Sequence, residues 1–266
     1  PPPPPPYFFF IDTSTTVIYT LSLHDALPIY AGGFYSVLNT ELPQNRLQTT
    51  VSVLNPKVIV TSESLLETAK EYFSERKIMT FEDLAKSEPD YAKLGEIRSH
   101  KIDTDLLYIN FTSGSTGTPK GIVVCHRSVI DFIDHFTEIF GNENNEVIAN
   151  QAPFDFDVSV KDIYSAVKTG ATLVVVPRRM FSAPAELIDF ICDRRITVMI
   201  WAVSALCLIS TFHALDYRTP ETVNKILFSG EVMPLKALKN FRSHLPNADR
   251  KSTRLNSSHI TISYAD

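Results

Sequence analysis

The chain has 266 residues, 44% hydrophobic and 21% charged, a globular balance with room for a sizeable core in one large or two modest domains. A net charge of −5 gives a nucleic-acid partner no electrostatic support. No run approaches the roughly 20 apolar residues of a membrane span, so no membrane partner is expected. The region before Arg46 also has no Lys or Arg to start a secretory signal.

Pro1–Pro6 is a homopolymer, and Tyr7-Phe8-Phe9-Phe10 follows it. Residues 16–29 and 251–265 look like translated sequencing-adapter read-through, and residues 250–266 are rich in Ser and Thr without a sustained period. Residues 1–29 and 250–266 are therefore expected to be extensions, adapter-derived or disordered, around a domain spanning 30–249. Natural disordered tails are the alternative. Ala31-Gly32-Gly33-Phe34-Tyr35-Ser36 reads as a glycine turn, and Pro43 and Arg46 after it read as structural. Lys57–Val60 predicts a short buried strand. Ser62–Phe73, with Leu65, Leu66, Ala69 and Phe73 in phase, predicts a helix capped by a hydroxyl. Phe81–Lys86 is a weaker helix, and Ser87–Asp103 reads as polar loop.

The most informative stretch is Tyr108–Gly121, YINFTSGSTGTPKG. An apolar run from Leu106 to Ile109 predicts a buried strand. A loop of Thr112, Ser113, Gly114, Ser115, Thr116, Gly117 and Thr118 follows, then Pro119, Lys120 and Gly121, and strand again over Ile122–Val124. Gly114 and Gly117 allow positive φ and close approach of the backbone to an anion. The hydroxyls offer donors, Lys120 adds a compact charge, and Pro119 stiffens the approach to it. The spacing is not that of a Walker loop, because no Gly-Lys-Ser/Thr follows Gly114. A surface hairpin of turn residues is the plain alternative.

Beyond the loop, His126–Phe140 is amphipathic, with Val129, Ile130, Ile133, Phe136 and Phe140 on one face and Gly141 ending it. His126 is read as a capping or packing residue. Val147–Ala149 begins another strand. Val160, Ile163, Tyr164 and Val167 set the face of a helix closed by Gly170, with Asp157 at or just before its first turn. Asp157 or Ser159 is a candidate cap for that helix, and Lys161 lies one turn after Asp157, a spacing that permits an ion pair. Strands over Ala171–Val176, Ile196–Trp201 and Lys225–Phe228 alternate with helices over Ser182–Asp193, Ser204–Leu215 and Pro234–Leu245. That alternation predicts an α/β fold with mostly parallel sheets covered by helices. Arg178 and Arg179 read as solvated loop. Cys125, Cys192 and Cys207 are expected to be buried free thiols in a reducing cytoplasm, and the scattered histidines predict no metal site.

The run Thr112–Gly121 resembles, without a gap, the phosphate-loop signature of the adenylate-forming superfamily: acyl-CoA synthetases, luciferases and the adenylation domains of nonribosomal peptide synthetases. Ala31–Tyr35 is similar to the family's AGGAY turn, and Phe156-Asp157-Val158-Ser159 to the F-D-x-S segment of amino-acid-activating members. The wider segment looks most like D-alanine–carrier-protein ligases and related peptide-synthetase modules.

The resemblance implies a partial large N-terminal domain of that fold, ATP and Mg2+ as cofactors, and an acyl acceptor that is either a carrier protein's phosphopantetheine thiol or coenzyme A. It implies that Thr112, Ser113, Gly114, Ser115, Thr116, Gly117 and Lys120 hold the phosphates, with Lys120 catalytic and Gly230 near the adenine. Arg127 joins Lys120 in making the site locally basic. Asp157 would hold the α-ammonium of an amino acid, while Val158, Lys161, Ile200, Leu227 and Ser229 would line its side-chain pocket. Lys161 suits an acidic substrate side chain, or neutralises Asp157. The family's tyrosine–glycine–proline–threonine–glutamate segment, ribose-binding aspartate and mobile C-terminal subdomain have no counterpart here, so little or no turnover is expected of this stretch alone. Three readings stay open: amino-acid activation, a fatty or aryl acid:CoA ligase, and a non-catalytic nucleotide-binding fragment.

Overall fold

Short runs of β-branched and aromatic residues form the strands of a six-stranded sheet. The computed structural model describes residues 29, 31–86, 88–112 and 119–251, and the backbone path of 7–11 and 252. The described residues fall into two compact units. The first holds those up to His135 together with Phe154–Asp157, and the second holds Phe136–Pro153 and those from Val158 onward.

The first unit contains β1 (Tyr7–Ile11), β2 (Phe34–Leu38), β3 (Val58–Thr61), β4 (Ile78–Thr80), β5 (Leu106–Thr112) and β6 (Lys120–Cys125), in the order β4-β3-β1-β2-β5-β6. All neighbours are parallel except the hairpin of β5 and β6. Tyr7–Ile11 was expected to lie outside the fold, yet it pairs with β2 on one side and β3 on the other. Its sequence, YFFFI, is uninterrupted β-former, as an inner parallel strand requires. Helix α1 (Gln44–Leu54) brings Leu47 and Val51 onto Leu38 and Ile59, and α2 (Leu66–Tyr72) adds Ala69. The helix expected over Ser62–Phe73 opens as a 3-10 turn, Glu63–Leu65, and Ser62 bonds Ser64 instead of capping it.

Helix α3 (Phe81–Lys86) matches its expected span. Helix α4 (Tyr91–Ser99) stands where the sequence reads as loop. Asp90 caps it, accepting from the Lys93 amide at 3.0 Å, but no residue of the helix is buried, so it has no apolar stripe to read. Gly32, at φ +78°, passes so close to α4 that a Cβ there would sit 2.6 Å from Ile97 Cγ2. Helix α5 (His126–Phe140) follows β6 and buries Val129, Ile133 and Phe136 as its pattern predicts, but Ile130 of the same expected face is exposed and Phe140 only half-buried.

The second unit is a wholly parallel five-stranded sheet made of β7 (Val147–Asn150), β8 (Thr172–Val175), β9 (Val198–Ala202), β10 (Lys225–Ser229) and β11 (Asp249–Ser252). Its order, β11-β10-β9-β7-β8, places later strands on both sides of β7. Strand β11 shows that residues 250–252, assigned to the tail from sequence, continue the sheet. One face carries Ala149, Val174, Met199, Trp201, Ile226 and Phe228 into the main core, with α7 (Pro184–Asp193), α8 (Val203–Thr211) and α10 (Leu235–His244) against them. Trp201 is 1% exposed, and its indole Nε1 donates to the Ala149 carbonyl at 2.9 Å, so the largest core side chain is also satisfied. The single helix expected over Ser204–Leu215 breaks at His213, which takes the left-handed conformation at φ 53°, and resumes as α9 (Ala214–Tyr217). Arg178 and Arg179 begin a 3-10 turn over Arg178–Ser182 rather than a loop.

Helix α6 (Ser159–Thr169) departs most from its sequence reading. Val167 is 61% exposed, whereas Ser159, Lys161, Asp162 and Ser165 are buried beside Val160, Ile163 and Ala166. Asn150, at the end of β7, donates through Nδ2 to Asp162 Oδ2 at 2.8 Å, while Asp162 Oδ1 and Ser165 Oγ have no hydrogen-bond partner among the described residues. Burial pushes the Asp162 carboxyl up to about 8, against the opposing pull of the Asn150 bond and the Lys161 charge.

Two stability measurements test these placements. A Cβ on Gly121 would lie 2.9 Å from Ile109 Cγ2 and 3.4 Å from the Phe111 ring, so Gly121→Val is expected to lose about 1–3 kcal/mol in denaturant unfolding. Unchanged stability would show that the hairpin faces are not packed in this way. Because the native state keeps the Asp162 proton that the unfolded chain releases near pH 4, stability should fall by up to about 1.4 kcal/mol per pH unit from roughly pH 4 to pH 8. Asp162→Asn should flatten that slope, and an identical slope in the variant would move the titration to another group.

Candidate active site

The loop singled out in the sequence is framed by an antiparallel hairpin. Thr112, read as the first loop residue, is the last residue of β5 and stands opposite Lys120, the first of β6. Thr112 Oγ1 donates to the Lys120 carbonyl at 3.5 Å, closing the mouth. Both side chains are exposed, while Pro119 beside them is buried. The positions between, Ser113, Gly114, Ser115, Thr116, Gly117 and Thr118, lie outside the described residues. The hairpin leaves the Lys120 amine in solvent, where it can meet an anion.

Phe154–Asp157 belongs to the same unit. Asn39, just after β2, donates through Nδ2 to Asp155 Oδ2 at 3.2 Å. Asp157 is exposed, and its charge reaches Tyr108 on β5. Burial, and then the Asp157 carboxylate, pushes the Tyr108 phenol up to about 12, so it stays a neutral donor at physiological pH. The Tyr108 ring lies 5.9 Å from that of Tyr35 on β2. Helix α6 begins only at Ser159, with Val158 at its N-cap position, so Asp157 lies outside the helix.

Arg127 does not add the free positive charge that the sequence suggests. Its Nε and Nη2 hold the two Asp103 carboxylate oxygens, each at 2.8 Å. His126 is half-buried, and burial followed by the Lys101 charge pushes its imidazole down. The His126 amide donates to Asp105 O and that of Arg127 to Asp103 O, so the main chain at the start of α5 is tied to the segment before β5. Cys125, half-buried like Cys192 and Cys207 rather than fully buried, lies 3.2 Å from Ser128 Oγ, and that contact draws its thiol down. A cleft of about 290 Å³ opens near the end of α4, lined by Arg98, Lys101, Ile102, Asp103, His126 and Ile130 among others, and none of these is a predicted site residue.

In the second unit, Ile200 and Leu227 are each 2% exposed and pair directly across β9 and β10. By strand alternation they face away from Met199, Trp201, Ile226 and Phe228, and so away from the main core. Asn150 has the same parity on β7. Ser229 ends β10 half-buried, and Gly230 after it adopts φ +98° with nothing within 4 Å of a would-be Cβ. Lys161 is 2% exposed on α6. The Asn150–Asp162 and Asn39–Asp155 bonds and the reach of Asp157 to Tyr108 have no local sequence pattern, because they pair residues distant along the chain. Among the described residues no group of three or more His, Cys, Asp or Glu side chains is arranged to hold a metal, and no helix is long and apolar enough to cross a membrane.

A family model described as AMP-binding enzyme matches residues 29–253. The D-alanine–D-alanyl carrier protein ligase of Staphylococcus aureus (strain MRSA252) is 30% identical over 222 residues, which cover 83% of this chain and 44% of the relative. The chain thus spans less than half the length of the curated relatives it matches. Among solved structures, VinN in complex with L-aspartate superposes with a TM-score of 0.75 at 15% identity, covering 93% of this chain and 62% of that one. McyG A-PCP complexed with phenylalanyl-adenylate gives a TM-score of 0.74 at 16% identity, over 93% of this chain and 41% of that one. These likenesses establish the fold, the α/β domain of adenylate-forming enzymes that the sequence predicts. With the family model matched over most of its length, and a hairpin framing the hydroxyl- and glycine-rich loop, the chain is a member of the AMP-binding enzyme family.

Proposed function

We propose that the protein of which this chain is part activates an amino acid with ATP and passes it to a thiol. The amino-acid carboxylate attacks the α-phosphorus, its bond to the pyrophosphate oxygen breaks, and an aminoacyl-adenylate forms. A thiolate then attacks the acyl carbon and AMP leaves. The acceptor is the phosphopantetheine arm of a carrier protein, with coenzyme A as the alternative, and Mg2+ accompanies the ATP.

In this reading Thr112, Ser113, Gly114, Ser115, Thr116, Gly117 and Lys120 take the β- and γ-phosphates, through hydroxyls, backbone amides and one ammonium. Lys120 is the catalytic member, neutralising charge as pyrophosphate departs. Gly230, with open space around it, admits the adenine. Val158, Lys161, Ile200, Leu227 and Ser229 contact the substrate side chain. A cytoplasmic setting suits the ATP requirement and the free thiols.

One observation carries the choice of an amino acid over a fatty or aryl acid. Asp157 is an exposed carboxylate in the unit that bears the hairpin, and its charge reaches the Tyr108 phenol. An ammonium losing water there gains a charge-assisted bond worth roughly 1.5–3 kcal/mol, whereas a fatty acid has nothing to offer that carboxylate. The curated relative named as a D-alanine ligase and the neighbours solved with L-aspartate and phenylalanyl-adenylate support the same choice.

Lys120→Ala should weaken ATP binding to the chain about tenfold or more in calorimetry, and an unchanged affinity would remove Lys120 from the phosphates. In ATP–pyrophosphate exchange by the complete protein, screened against amino acids and fatty and aryl acids, amino acids should be required. Asp157→Ala should raise the amino-acid KM roughly 10–100-fold. Exchange supported only by fatty or aryl acids, with Asp157→Ala silent, would transfer the protein to the acid:CoA ligases. No exchange with any acid would leave it a non-catalytic nucleotide binder.

A further inference from the structure

Residues 151–158 run from the end of β7 to the start of α6 and carry Asp157 in a stretch without regular structure. A carboxylate on such a strap is useful to a ligand only if the strap is held. At its entry, Gln151 Oε1 accepts from the Ala202 amide at 3.2 Å and the Asn150 carbonyl accepts from the Val176 amide at 3.0 Å, so the end of β7 is tied to both neighbouring strands. At its exit, Ser159 and Asp162 are buried in the first turn of α6. Asn150 and Asp162, twelve positions apart, are 2% and 0% exposed and share one hydrogen bond of 2.8 Å. Asn150 also has the parity of Ile200 and Leu227, the residues assigned to the pocket wall.

We infer that Asp162 is a positioning residue for the amino acid: its buried hydrogen bond with Asn150 clamps the two ends of the strap that presents Asp157. This rests on the amino-acid-activating reading for the identity of the ligand, but not for the clamp itself. The bond needs only an acceptor oxygen at position 162, since Asn150 is the donor. An amide in place of the carboxyl therefore preserves the clamp, while a truncated side chain opens it.

Hydrogen exchange and calorimetry on the chain and its Asp162→Asn, Asp162→Ala and Asn150→Ala variants test this. Asp162→Ala and Asn150→Ala should each speed amide exchange about tenfold or more in residues 151–158, with β8 and α7 unchanged. Both should raise the amino-acid Kd about tenfold while leaving the ATP Kd unaltered, and Asp162→Asn should restore both properties. Should Asp162→Ala not fold, Asn150→Ala removes the same bond from the strand side and decides the matter. Unaltered strap exchange, a parallel loss of ATP and amino-acid affinity, or Asp162→Asn behaving like Asp162→Ala would each overturn the clamp. If the unsubstituted chain binds ATP but no amino acid, the substrate reading fails, and strap exchange alone still judges the clamp.

Discussion

A parallel sheet obliges the chain to leave every strand at the same end and cross back before starting the next. In the second unit this constraint collects the exits of β7, β8, β9 and β10 at one edge, and they carry Asn150, Val176, Ala202 and Ser229 there. The order β11-β10-β9-β7-β8 makes β7 the strand at which the winding reverses. Exits diverge at such a point and leave a crevice, the usual location of a ligand in open α/β sheets. Polar side chains belong there despite burial, and the pattern bears this out: one face of the sheet is sealed by Trp201, Phe228 and their neighbours, while the other holds Asn150 against Asp162.

That distribution explains which parts of the fold were legible in the sequence. Helix α5 was legible because its buried face is mostly apolar, Val129, Ile133 and Phe136 at helical spacing with only Thr137 among them, although Ile130 of the expected face is exposed. Strands β8, β9 and β10 were legible as unbroken β-formers. Helix α6 was misphased for the opposite reason. Its buried face mixes Ser159, Lys161, Asp162 and Ser165 with apolar residues, so the most polar positions are the most buried and Val167 points outward. Helix α4 was missed because it buries nothing, and only the Asp90 cap marks it. Strand β1 was set aside because its flanks are unlike a domain, although its five residues alone are good strand.

The hairpin that frames the candidate loop was legible because its residues are continuous in sequence, whereas contacts with partners far along the chain were hidden. Thr112 and Lys120 are eight residues apart and the sequence places them at one turn, whereas the reach of Asp157 to Tyr108 spans 49 positions and is a property of the fold (157 − 108). Arg127 shows the converse error. A cation seven residues after Lys120 reads as part of a basic site, but Asp103 takes it with two bonds of 2.8 Å, and its charge is already balanced.

This assignment of charge bears on how such a hairpin can receive phosphate at all. In a Walker loop the strand runs into a helix, whose free N-terminal amides and dipole attract the anion. Here the loop joins two antiparallel strands, and α5 begins only after β6. Its first amides are already engaged, His126 with Asp105 O and Arg127 with Asp103 O. The helix terminus and Arg127 are thus both committed to the segment before β5. On the proposed reading, attraction for a triphosphate is left to the residues between the two strands and to Lys120, which is exposed at the start of β6. The outer phosphates, the group that leaves as pyrophosphate, would on that reading be met by an ammonium that is exposed at the hairpin.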